Sequence, residues 1–174
     1  MYRYEEKTNP FQTVLKAVLL VTGGIIAGLI AGRLIFLPYI AADSSMQPNI
    51  KPGERLIICK LATPAAGDIA LIKSPVEPDR VLLRRIAAKG GDTVEIRNKV
   101  IYINDKTVRF AWKTSGSDKR IFPMHFTSRD TMPAVKLDRR QFFLLCDNLD
   151  NSFDSRTFGA VNADEIIGTM IYKQ

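Results

Sequence analysis

Polar and apolar positions along the 174 residues follow two regimes, and the change falls near residue 43. Sixteen consecutive residues from Ala17 to Gly32 carry no charge (AVLLVTGGIIAGLIAG); Arg33 interrupts, and LIFLPYIAA continues to Ala42. As a helix, residues 13–37 would extend about 37 Å, enough to cross a hydrocarbon core of about 30 Å. The stretch is apolar all round and stands at the chain's start, which favours a membrane anchor over a buried core helix. Arg33 near one end can reach the headgroups, and Pro38 is the expected stop. A cleaved leader would also have a basic start, an apolar centre and YIAA before Asp43. The apolar part is long for that, and Ile40 is not the small residue wanted three positions before a cut after Ala42. Arg3, Lys7 and Lys16 precede the span, so residues 1–12 are expected in the cytoplasm and residues 38–174 on the far side. Gly24, Gly28 and Gly32 recur every four residues, a spacing that admits close approach of a second helix.

Beyond Asp43 the runs become short and alternating. ERLIICKL (54–61), GDIALIKS (67–74), RVLLRRIA (80–87), QFFLLCDN (141–148) and EIIGTMIYK (165–173) read as strands, separated by Gly and Pro. EIRNKVIYINDKTV predicts a hairpin turning at Asn98-Lys99, with a second turn at Asn104-Asp105-Lys106. Residues 111–139 are polar and mixed and read as an insertion or long excursion. The predicted architecture is a mostly-β domain on a single N-terminal transmembrane helix.

Composition changes this picture little. An apolar fraction of 46% with 25% charged residues fits a folded globular protein. The formal charge of +7 would suit a nucleic acid or an anionic membrane face. The basic residues are scattered without a run of four, which argues against nucleic acid and leaves the lipid bilayer as the expected contact. Cys59 and Cys146 make no metal-site spacing. Each lies in an apolar run and reads as a small buried hydrophobe; a disulfide between them is open only outside the cytoplasm.

Three pieces carry the chemistry. DSSMQPNIKPGERLI puts Ser45-Met46 and Pro48 at the start of the β domain; RVLLRRIAAKGGDTVEI runs a strand with paired arginines into Gly91-Asp92; CDNLDNSFDSRTFGAV closes the set. In that order, behind an apolar span, they resemble the type I signal peptidases, membrane-anchored serine proteases that remove signal peptides from exported proteins. The resemblance runs from the anchor to residue 174, is weakest over 111–139, and is most specific in the third block. It implies a signal-peptidase-like β fold, a plasma (inner) membrane location, preprotein substrates bound in extended form, and no metal or organic cofactor. It also implies roles: Ser45 as nucleophile, with its own backbone N–H helping to hold the oxyanion, and Met46 and Pro48 holding the loop. Ser152 would hydrogen-bond the base, Asp154 and Arg156 would brace the site as an ion pair, and Asp147 and Asn148 would shape their loop. The plain alternative for Asp154 and Arg156 is a surface pair worth under about 1 kcal/mol.

Two positions depart from the family's pattern. The family uses a serine–lysine dyad, in which burial drives the lysine toward neutrality so that it can take the serine proton. Aligned on Gly91-Asp92, the lysine position holds Arg84, whose guanidinium keeps its proton and cannot be an ordinary base. Two residues before the nucleophile, where some members carry a serine that helps hold the oxyanion, stands Asp43, and a carboxylate there repels the developing charge. An Asp43–Arg84 ion pair across the site would offset both changes. Lys89, Lys73 and His125 are poorly placed to replace the base, and Asp43 itself is the remaining acceptor. The sequence thus predicts a signal-peptide-removing serine endopeptidase with impaired or altered base chemistry. The alternative is a non-catalytic homologue that holds exported clients or assists surface-structure assembly.

Overall fold

The computed structural model describes residues 10–151 and 153–174. Arg3, Lys7 and Ser152, with the first nine of the residues expected in the cytoplasm, lie outside the described residues. The chain divides into two units, residues 1–36 and 37–174.

The first unit is a helix, α1 (Pro10–Ile35). Its segment Phe11–Ile35 is long and apolar enough to cross a membrane, with mean hydropathy 2.3. The helix gives way at Phe36 to a strand, β1 (Phe36–Ile40), so Pro38 is not the stop the sequence suggested. It sits within an edge strand, where a proline need not donate to a neighbour. Among the described residues nothing lies within 4 Å of where a Cβ would stand on Gly24, Gly28 or Gly32.

The second unit is built from two sheets. After β1 come β2 (Arg55–Cys59), β3 (Ile69–Lys73) and β4 (Val81–Lys89). The hairpin strands are β5 (Thr93–Arg97), β6 (Val100–Ile103) and β7 (Lys106–Thr107). Then follow β8 (Met132–Lys136), β9 (Gln141–Leu145), a single helical turn α2 (Ser155–Phe158), β10 (Val161–Asn162) and β11 (Ile166–Lys173). A seven-stranded sheet runs β1-β2-β11-β3-β4-β9-β10, and a four-stranded sheet runs β7-β6-β5-β8. The last strand is therefore inserted between β2 and β3, antiparallel to both. Gly168 lies where β11 meets β2; a Cβ there would stand 2.5 Å from the Cys59 carbonyl oxygen.

The hairpin turns fall where the sequence put them. Asn98 and Lys99 take φ of 48° and 68°, and Asn104 and Asp105 take 52° and 61°, the left-handed pairs that two-residue hairpin turns require. Residues 111–139 differ from expectation: their last part is β8, paired with β5. Pro133 hid that strand, and it is tolerated there because β8 is an edge. Cys146 is buried as expected, whereas Cys59 is only half-buried; both are free thiols.

Three apolar clusters hold the sheets. One of them, formed by Ala41, Met46, Ile50, Leu56, Ile58, Ile69, Leu71 and Leu83, joins the loop after β1 to β2, β3 and β4. That cluster fixes the segment carrying Ser45.

Candidate active site

The loop from Ala41 to Ile50 is pinned at both ends. The Ala41 amide donates to the Glu54 carbonyl (3.0 Å), the Gly53 amide to the Ala41 carbonyl (2.8 Å), and the Ile50 amide to the Met46 carbonyl (2.8 Å). Met46 and Ile50 point inward and are each 1% exposed. Pro48 follows a cis peptide bond and is exposed. Long-range bonds fix the rest, among them the Asn148 amide donating to the Ser45 carbonyl (2.9 Å) and Ser115 Oγ donating to the Gln47 carbonyl (3.1 Å).

Ser45 is wholly buried and Arg84 is 1% exposed. Arg84 Nη1 donates to Ser45 Oγ at 2.8 Å and to the Leu83 carbonyl at 2.6 Å, and its Nε donates to the Phe153 carbonyl at 2.8 Å. The expected ion pair between Asp43 and Arg84 is not formed: among the described residues no salt bridge joins them. Asp43 Oδ1 instead accepts the Ser45 backbone N–H at 2.9 Å. An aspartate can reach the amide two residues on without moving its backbone, and that local donor wins over the more distant guanidinium. Burial pushes the Asp43 carboxyl up. Hydrogen bonds from the Ser45 hydroxyl and amide, with the charges of Arg84 and Arg80, outweigh it and hold the carboxyl below its ordinary value.

The neighbouring Arg85 points to the other face of β4, since successive strand residues alternate. It forms a fork with buried Asp147, Nε to Oδ1 and Nη2 to Oδ2 both at 2.7 Å. Its remaining donor meets the Gly67 carbonyl at 2.7 Å, and Trp112 covers the guanidinium 4.8 Å from its centroid. Asp147 Oδ2 also accepts Asn49 Nδ2 at 2.8 Å. Sequence reading assigned nothing to Arg85. The signal was there in period two: adjacent arginines on one strand serve opposite faces.

Asp154 and Arg156 form a second fork, at 2.9 and 2.7 Å, with both side chains buried. The exposed-pair alternative is therefore wrong in geometry. Asp154 Oδ2 accepts the Cys146 amide (2.9 Å) and Arg156 donates to the Leu149 and Asn151 carbonyls, so the pair ties α2 to the end of β9 and the loop between. Ser155 Oγ, also missed, accepts the Leu144 amide at 2.9 Å.

Lys73 and Lys89 are exposed on their strand ends, and His125 is exposed with its ring against Phe126. A cavity of about 140 Å³ opens beside the site, lined by Tyr39, Asp43, Met46, Arg80 and Leu83 among others. Burial, then the Asp43 charge, pushes the Tyr39 phenol up. Chemically the arrangement is a buried serine whose hydroxyl meets a permanent cation and whose amide meets a carboxylate, with a cavity on the carboxylate's side.

The family model "Signal peptidase, peptidase S26" matches residues 12–173. Signal peptidase I T of Bacillus subtilis (strain 168) is 29% identical over 171 residues, covering 95% of this chain and 86% of that protein. Signal peptidase I of Bacillus amyloliquefaciens is 28% identical over 170 residues, with the same two shares. A solved signal peptidase I from Enterococcus faecalis V583 aligns with a TM-score of 0.48 at 24% identity, over 63% of this chain and 98% of that one.

Proposed function

The chain belongs to the signal peptidase family, peptidase S26, and on that premise we propose that it is a membrane-anchored serine endopeptidase removing N-terminal signal peptides from exported preproteins, with a base other than lysine. Ser45 is the nucleophile in this reading, and Arg84 occupies the position of the family's lysine. The observation that carries the reading is the buried Ser45 hydroxyl bonded to Arg84 at 2.8 Å, in a loop held by the Asn148 amide and, through Asn49, by Asp147. Such framing supports a hydroxyl kept in place for attack. A surface serine without a role has no need of it.

The anchor is α1, with the N-terminus in the cytoplasm and the β unit outside. Arg3, Lys7 and Lys16 before the span support that orientation. Asp147, Asn148, Asp154 and Arg156 support the site from behind. Ser152 is assigned to the same support by the family's pattern alone.

The second reading, a homologue that holds clients without cutting them, draws on one feature: the Ser45 amide is capped by Asp43, while Arg84 cannot accept a proton. Cleavage of a preprotein by the purified full-length protein in detergent separates the two. The protease reading expects cleavage that disappears in Ser45→Ala. A wild type that does not cut, beside an Arg84→Lys variant that does, would establish the binder.

A further inference from the structure

We propose that Asp43 is the general base of this site, taking the Ser45 proton once the scissile carbonyl has displaced its carboxylate from the Ser45 amide. The inference rests on the protease reading above and names its missing residue.

A serine hydroxyl has one proton to give. Arg84 Nη1 stands 2.8 Å from Ser45 Oγ as a donor, and a guanidinium has no acceptor to offer in return. The serine proton must therefore point to another group, and the carboxylate that contacts Ser45 is that of Asp43, two residues back on the same loop. The same carboxylate caps the Ser45 amide through Oδ1 at 2.9 Å, the donor that a tetrahedral oxyanion would need. In the free protein the acceptor of the proton and the stopper of the amide are one residue.

Substrate binding separates these tasks. The scissile carbonyl oxygen takes the Ser45 amide, and Asp43 turns into the cavity of about 140 Å³ whose wall it forms. Leaving the amide removes one of the hydrogen bonds that stabilise the ionised carboxyl, which makes it a stronger base. The groups facing it are Tyr39 on β1, Ser45 on its own loop, Arg80 ahead of β4, and Arg84 on β4. Arg84 keeps its bond to Oγ and stabilises the negative charge that grows there.

The bonds balance as follows. The Ser45 Oγ–H proton passes to the Asp43 carboxylate as the Oγ–C bond forms, and the carbonyl π electrons move to the oxygen on the Ser45 amide. Collapse breaks the C–N bond, and Asp43 returns the proton to the departing amine. Water then attacks the ester, giving its proton to Asp43, and release of the acid hands that proton back to Ser45 Oγ.

The test is preprotein cleavage by the full-length protein in detergent, read as kcat and KM across pH. Asp43→Asn is expected to lower kcat by about a hundredfold to ten-thousandfold, with Asp43→Glu recovering part of it. The wild-type rate should hold through neutrality and fall only on the acid side, as a carboxylate base requires. In an Arg84→Lys background the sign reverses. Lysine is then the base and Asp43 only blocks the amide, so adding Asp43→Ser raises kcat, by up to about a hundredfold. An Asp43→Asn protein that cuts at the wild-type rate, or a wild-type rate that climbs into the alkaline range, overturns the inference and leaves the protease reading standing. A wild type that does not cut, or cuts without Ser45, removes both.

Discussion

Arg84 and Arg85 are consecutive on β4, both almost wholly buried, and their surroundings differ in kind. Arg85 meets a carboxylate in a fork, a carbonyl and an aromatic face, so its charge is matched where it stands. Arg84 meets two carbonyls and a hydroxyl and has no carboxylate in contact among the described residues. A buried cation without a paired anion is costly unless its donors are satisfied, and here neutral oxygens satisfy them. One face of the strand spends its arginine on holding loops together; the other keeps a positive charge unspent beside a serine.

That contrast can be broken by substitution. Asp147→Ala strands the Arg85 charge in the interior and is expected to cost about 3–5 kcal/mol of unfolding free energy, measured by denaturation of the full-length protein in detergent. Arg84→Met removes a cation and leaves the Phe153 and Leu83 carbonyls short of a donor, for about 1–3 kcal/mol. If Arg84→Met proves the more damaging of the two, the division between bracing face and working face is wrong. The smallest effect belongs to Asp43. Its carboxyl is held below the ordinary value, so its share of stability is complete above the unfolded value near about 3.9. That share is lost as pH falls through the lower folded value. Asp43→Asn should therefore lower the neutral part of the unfolding curve by that share and meet the wild type at the acid end; a neutral part that does not move would put Asp43 away from the Ser45 amide.

Much of this was legible in the sequence, for reasons that differ by element. The span and the strands announce themselves by period, and the turns at Asn98-Lys99 and Asn104-Asp105 by residue types that accept positive φ. β8 was hidden, because Pro133 stands inside it and its five residues show no polar–apolar alternation. Ser45 and Arg84 were named from the resemblance to the signal peptidases, yet the contact between Asp43 and Arg84 was misjudged. Opposite charges on the page suggest a pair, and only coordinates reveal that a backbone amide two residues away is the nearer donor. Arg85 and Ser155 were overlooked because their partners, Asp147 and the Leu144 amide, lie 62 residues on and 11 residues back.

The place of β11 sets a timetable. The strands on either side of it, β2 and β3, are made more than ninety residues earlier, and each pairs with the final strand and not with the other. A chain emerging from its N-terminus therefore holds an open gap in its larger sheet until Lys173 arrives. The cluster that seats Met46, one residue from Ser45, draws on both sides of that gap and is packed by Ile167 and Met170 of the missing strand. Whatever chemistry Ser45 performs, it begins only once the residues of β11 have been made.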